Sequence, residues 1–216
     1  KGVVMKAHYN GLIPRNPFIQ FHISPNVKER EYLTEDELKA VMTHEFADSK
    51  LAYIRDIFIF ASFTALSFVD IQELTNDNIV EVNGEKWILS KRHKTKVAFQ
   101  VKLLDIPLQI VERYRPMQKD NRIFPGLNYW SICKPLKRMI RECGITKSIS
   151  FHCSRHGFAT LALSKGMPIE SVSRVLGHTN IVTTQLYAKI TTQKLDNDLT
   201  MFGDKQSKTF NGITMS

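Results

Sequence analysis

The sequence predicts a mainly α-helical domain with one small three-stranded antiparallel β-sheet, an α+β fold. Three observations predict it. Apolar residues recur at helical spacing through most of the 216 residues. Short strand-like runs cluster in one place, around Asn83 and Gly84, two residues that tolerate the positive φ of a tight hairpin turn. Hydrophobic residues make up 43% and charged residues 24% of the chain, the balance of an ordinary globular protein. A chain this long buries about two-thirds of its unfolded surface and needs no staples.

Taken in order, Lys1 to Asn10 suits the end of a helix, and Gly11 to Pro25, with three prolines, reads as extended linker. Thr34 and Glu37 form a capping box, in which hydroxyl and carboxylate satisfy the free N–H groups of a first helical turn. Leu38, Val41 and Met42 follow at helical spacing. Residues 51–66 place Leu51, Ile54, Phe58, Ala61 and Ala65 on one stripe with further apolar residues around it, the mark of a helix buried on most sides. The longest apolar stretch, Ile57 to Val69, is flanked by charge and falls short of the roughly 18 residues a membrane span needs. Ile79–Val82 and Lys86–Leu89 are the hairpin strands, and Val97–Ile106 is the third strand. Helices are expected at Pro107–Arg115, Tyr129–Cys143, Cys153–Lys165, Ile169–Leu176, Ile181–Ala188 and Thr192–Leu199. Gly144, Gly166 and Gly177 stand just past three of them, where a left-handed cap favours glycine.

Thirty Lys and Arg against 21 Asp and Glu leave a net charge of +9, which suggests an anionic partner, nucleic acid first and a membrane surface second. The charge is uneven. Lys91, Arg92, Lys94, Lys96 and Lys102 lie in a stretch free of acidic residues, and Lys134, Lys137, Arg138, Arg141, Lys147 and Arg155 meet only Glu142. Such clusters read equally as a backbone-phosphate footprint or as a solvated basic face. Cys133, Cys143 and Cys153 are an odd count without a CxxC pair, which implies neither a disulfide framework nor a zinc ribbon. They read as small apolar residues in a reducing compartment.

The chemistry concentrates in residues 151–187. His152 and Arg155, three apart at a helix start, can project from one face. His178 follows Leu176 and Gly177 at the end of the next helix, and Tyr187 stands nine residues further on. A guanidinium, imidazoles and a phenol are a kit for attack on a phosphodiester. Arginine clamps non-bridging oxygens with a planar fork, imidazoles donate hydrogen bonds or move protons, and a phenol with pKa near 10 needs such neighbours to become a nucleophile. Each residue alone would be ordinary: a lone histidine or tyrosine is more often structural. His152 and His156 at i, i+4 could be a zinc pair, but no HExxH pattern or nearby third ligand accompanies them, so no metal is expected and His156 is read as packing beneath the site.

The run His152, Arg155, His156, Phe158, Ala159, Thr160, then Leu176-Gly177-His178, then Tyr187 resembles the C-terminal signature of the tyrosine recombinase, or phage integrase, family, as found in integrases of bacterial mobile elements. Arg92-His93-Lys94-Thr95, after the second strand, is similar to that family's hairpin lysine motif. The likeness covers roughly residues 29–199. It implies the family's catalytic-domain fold over 28–200, the end of an upstream core-binding domain and its linker over 1–27, and a tail over 201–216. The chain opens at Lys1 without a signal peptide, and is expected to be part of a longer protein in the bacterial cytoplasm, beside the nucleoid.

The roles implied by the resemblance are these. Tyr187 attacks the scissile phosphate, leaving a 3′-phosphotyrosine and a free 5′-hydroxyl. Arg155 and His178 hold the phosphate, His152 assists proton transfer, and Lys94 protonates the leaving oxygen. No cofactor is needed, since cationic side chains do what a metal does elsewhere. Lys91, Lys96, Lys134, Lys137 and Arg138 are candidate DNA contacts. Double-stranded DNA at a specific site is the expected partner, with a monomer in its absence and a homotetramer on two duplexes, and no membrane.

One departure bears on activity. Where the family carries a second phosphate-binding arginine, this chain has Ser67, with Asp70 keeping the acidic partner. Either the chain is a degenerate DNA-binding relic, or another cation fills the gap. Arg92 is the candidate, on the expectation that Arg92, Lys94 and Lys96 share one face of a strand. A topoisomerase or metal-free nuclease would share the tyrosine chemistry without joining two partners.

Overall fold

One helix organises the main body of the protein because it is apolar on nearly every side. It is α3 (Ser49–Thr64), in which Leu51, Ile54, Ile57, Phe58, Ile59, Phe60 and Ala61 are all buried. The computed structural model describes residues 2–18, 31–118, 120–187 and 192–209. Two units divide the chain, Lys1–Arg30 and Glu31–Ser216. In the first, the helix α1 (Gly2–Tyr9) buries none of its residues. The linker expected to run to Pro25 lies, from residue 19 onward, outside the described residues.

In the second unit, α2 (Glu35–Thr43) starts at the expected capping box: Glu37 N–H donates to Thr34 Oγ1, and Thr34 N–H to Glu37 Oε2 at 2.8 Å. α3 packs against α2 and against three later helices, α5 (Asp105–Tyr114), α6 (Tyr129–Glu142) and α7 (His152–Ser164). Its one buried carboxylate, Asp56, is held by Arg55, Arg113 and the Tyr114 hydroxyl, so a charge in the core is matched rather than stranded. Among the described residues no helix is long and apolar enough to cross a membrane.

α3 ends at Ala65, whose φ of 56° turns the chain into a short helix, α4 (Phe68–Gln72), that hydrophobic spacing did not reveal. The sheet follows in the order β1 (Ile79–Val82), β2 (Glu85–Lys91), β3 (Ala98–Lys102), antiparallel throughout. Asn83 and Gly84 both have positive φ, as the hairpin requires. β3 is shorter than expected because α5 already begins at Asp105.

One correction concerns the hairpin. β2 ends when Lys91 pairs with Ala98, and residues 92–97 form a turn in which Arg92 N–H donates to Val97 O and Lys96 N–H to Arg92 O, both at 2.8 Å. Lys96 there has φ 56°. Strand alternation therefore does not operate, and Arg92, Lys94 and Lys96 do not share a face. Arg92 is buried, whereas Lys94 and Lys96 are exposed.

Beyond the sheet, α6 buries only Ile132, Leu136, Met139 and Ile140, one stripe, which leaves its basic residues outside. α7 and α8 (Ile169–Leu176) follow closely the expected spans, and Gly144, Gly166 and Gly177 all have positive φ. The expected helix Ile181–Ala188 is reduced to α9 (Val182–Gln185). Ile181, Val182 and Leu186 are exposed, so no apolar stripe sustains a longer helix, and Ala188 lies outside the described residues. α10 (Thr192–Thr209) runs without a break across the boundary placed at residue 200, with Leu195, Leu199, Met201 and Phe202 exposed.

Candidate active site

The corner between α3 and α4 sets the floor of the site. Ser67 caps α4: its hydroxyl donates to Asp70 Oδ2 at 2.8 Å and accepts from Asp70 N–H. The serine hydroxyl is thus engaged within the cap. Asp70 in turn anchors the hairpin turn, accepting from Arg92 Nη1 at 2.7 Å and from the His93 N–H at 3.0 Å. The Arg92 guanidinium lies 3.9 Å over the Phe99 ring and donates through Nη2 to Val175 O at 2.5 Å. Its Nε is buried and has no hydrogen-bond partner among the described residues.

Arg155, in the first turn of α7, is only 9% exposed. Its Nη1 donates to Ala65 O at 2.8 Å and its Nη2 to Leu176 O. Two guanidinium groups therefore sit on consecutive carbonyls at the C-terminus of α8, where unpaired carbonyls and the helix dipole favour positive charge. Each terminal nitrogen keeps a second N–H to give. Gly177, with φ 61°, ends α8 and brings in His178, whose Nδ1 lies 2.9 Å from Thr184 Oγ1. Tyr187 is half-buried and packs against a small apolar cluster of Ala65, Ala159, Leu163, Val172 and Leu176. Its ring is 4.7 Å from that of His156, edge to face, and lies nearly parallel to His178 at 6.4 Å. His156 contacts the Tyr32 ring at 5.3 Å.

The electrostatics follow from burial. Desolvation, then repulsion from Arg92, pushes Arg155 down to about 10, so it stays cationic. Burial also lowers Arg92, against the pull of Asp70. Burial, then Arg155, Arg92 and His152, pushes His178 down to about 4, which leaves it neutral near pH 7. Burial alone would raise Asp70, but the His93 N–H, Arg92 and Ser67 together hold it below the usual carboxylate value. Two buried cations facing one carboxylate leave positive charge in excess, and a phosphodiester anion suits it. Among the described residues no set of three His, Cys, Asp or Glu side chains could hold a metal ion.

Of the residues singled out in the sequence, Arg92, Arg155, His178 and Tyr187 are brought together, with His152, exposed at the start of α7, close enough to depress His178. Lys94 is exposed on the hairpin turn instead. Lys91, Lys96, Lys134 and Lys137 are exposed, and Arg138 is engaged by Glu142 at 2.7 Å and Asp48 at 3.4 Å. Sequence reasoning missed Thr184 and Tyr32. Thr184 lies six residues past His178 and three before Tyr187, a proximity that could have marked it, while nothing local marks Tyr32.

Comparison with known proteins bears on the family and the fold. The model of the "Phage integrase family" matches residues 31–194. Over 177 residues the chain is 32% identical to a protein of Pyrococcus horikoshii named tyrosine recombinase XerA, covering 76% of this chain and 58% of that protein. Over 204 residues it is 26% identical to tyrosine recombinase XerD of Listeria innocua, covering 87% and 67% respectively. The fold superposes on the integrase of the Tn1549 transposon, solved with circular intermediate DNA, at a TM-score of 0.78 and 17% identity, covering 93% of this chain and 76% of that one. A XerA recombinase crystal structure gives 0.63 at 20% identity, covering 92% and 72%. With a family match over most of its length, a helical fold around one small sheet, and the arginine, histidine and tyrosine of the signature gathered at one place, the chain belongs to the phage integrase family.

Proposed function

We propose that this chain is the strand-cleaving and rejoining domain of a site-specific DNA recombinase acting through a 3′-phosphotyrosine. The observation that carries the reading is the convergence of two buried guanidinium groups, Arg92 and Arg155, beside His178 and Tyr187. The Tyr187 oxygen attacks phosphorus, its proton passing to His152, and the bond from phosphorus to the 5′-oxygen breaks. Lys94, exposed on the hairpin turn, gives that oxygen its proton when DNA fills the site. Arg155 and Arg92 hold the non-bridging oxygens, Arg92 standing in for the arginine that Ser67 replaces. The phosphotyrosine conserves the bond energy, so a 5′-hydroxyl from another duplex can reverse the step without ATP.

Double-stranded DNA as substrate is supported by the net charge of +9 and by relatives named as recombinases or solved with DNA. Lys91, Lys96, Lys134 and Lys137 are free to reach phosphates, whereas Arg138 must first leave Glu142 and Asp48. On this reading the protein is a monomer until DNA assembles four copies on two duplexes, the exposed apolar residues of α10 serving a neighbouring copy. Residues 1–27 belong to an upstream DNA-clamping domain.

Incubation with a nicked suicide duplex tests the function. A covalent adduct that disappears in Tyr187→Phe is expected; binding without adduct would make the chain a relic. Joined strands from two different duplexes separate a recombinase from a topoisomerase.

A further inference from the structure

Thr184 is fully buried, and it is the residue through which the two ends of the site are tied together. Its carbonyl accepts the Tyr187 N–H at 3.0 Å, and its hydroxyl lies 2.9 Å from Nδ1 of His178. The preceding Thr183 is exposed, so only the second of the pair turns inward. A buried hydroxyl that leaves its hydrogen unpaired loses the free energy of desolvation without return. If the Thr184 hydroxyl accepted from Nδ1–H, its own hydrogen would need a second acceptor, and Nε2 of His178 would face the phosphate as a lone pair, repelled by it. If the hydroxyl donates to Nδ1, both problems vanish.

We propose that Thr184 is a positioning residue, whose hydroxyl donates to Nδ1 of His178 and thereby places the single imidazole proton on Nε2, ready to donate to a phosphate oxygen. The inference rests on the phosphate-binding role given to His178 above. The matter arises only for a neutral ring, since an imidazolium carries a proton on both nitrogens. His178 meets that condition. Burial and the guanidinium charges facing it, Arg155 from α7 and Arg92 from the hairpin turn, hold it neutral, with the neighbouring His152 of α7 acting in the same direction and the Tyr187 ring alongside. A donor on Nε2 can then bind phosphate without a further buried cation beside two guanidinium groups.

Long-range proton–nitrogen NMR on the nitrogen-15-labelled chain at neutral pH reads the tautomer directly, with the His178 signal assigned by its loss in His178→Gln. The wild-type chain and Thr184→Ser should show the proton on Nε2, and Thr184→Val, nearly the same in shape, a mixture of tautomers. Single-turnover cleavage of the suicide duplex should be about tenfold slower in Thr184→Val, the worth of one hydrogen bond, with the half-saturating DNA concentration unchanged and Thr184→Ser close to wild type. A proton on Nδ1 in the wild-type chain overturns the proposal. So does a Thr184→Val chain that keeps either the wild-type tautomer or the wild-type rate. Should no variant form an adduct, the proposed function fails, while the tautomer still decides the role of Thr184.

Discussion

Ser67 and Arg92 meet at one carboxylate, that of Asp70. Ser67 caps α4 and orients Asp70, and Asp70 holds the guanidinium that arrives from the hairpin turn. Removing one preorganised donor from a developing oxyanion lowers a rate by about 10²–10³-fold. Arg92→Ala should therefore slow adduct formation by about that factor, measured in single turnover, without abolishing DNA binding. Arg92→Lys should recover only part, because an ammonium cannot serve both Asp70 and Val175 O with a planar fork. Asp70→Asn tests the anchor through stability. The folded carboxyl lies below its ordinary value of 3.8, so its contribution is complete above that pH and is lost as the pH falls through the depressed folded value. Urea unfolding should show the variant about 3 kcal/mol less stable near neutrality, the cost of leaving a buried charge unpaired. That gap should close in acid. The residues of the C-terminal signature were legible in the sequence, as was Arg92 as a candidate. The route by which Arg92 reaches the site was not, because the turn from 92 to 97 is closed by backbone hydrogen bonds rather than by any side-chain period.

Elements deliver the site through their ends. Gly177 terminates α8 in a left-handed conformation, and a Cβ there would lie 2.9 Å from both Cγ and Nε of Arg92. Gly177→Ala should cost about 1–2 kcal/mol in backbone strain and also displace Arg92, so thermal unfolding and cleavage should both suffer. Ala65 offers the opposite case. It holds φ 56° at the end of α3, where glycine is more comfortable, and its carbonyl receives Arg155. Ala65→Gly relieves about 1 kcal/mol of that strain but removes a fully buried methyl worth about 0.8 kcal/mol, so chemical denaturation should show little net change while cleavage is retained, since the accepting group is backbone. Capping boxes and glycine stops were readable because each depends on a few adjacent residues. α4 and the shortening to α9 were not, since one, although capped by Ser67 and Asp70, is too short to show a hydrophobic period and the other lacks an inward apolar face.

For the whole molecule, an excess of nine positive charges should make duplex binding strongly dependent on salt. If four phosphates are neutralised, affinity should fall about a hundredfold between 50 and 200 mM salt, read by fluorescence anisotropy; a flat dependence would remove the electrostatic footprint. Lys134→Ala should lower that slope by about one unit, and Arg138→Ala by less, because Arg138 already has Glu142 and Asp48 for partners. The sequence by itself determined the helical class, the hairpin and the order of arginine, histidine and tyrosine, since these rest on periodicity, turn chemistry and fixed spacing. Only the tertiary structure decided which cations are buried together, that Lys94 stands outside while Arg92 is drawn in, and that Thr184 links His178 to Tyr187. The first two are matters of burial and of hydrogen bonds between residues far apart in the chain, which no local pattern encodes; the third is local but depends on which of two adjacent threonines turns inward.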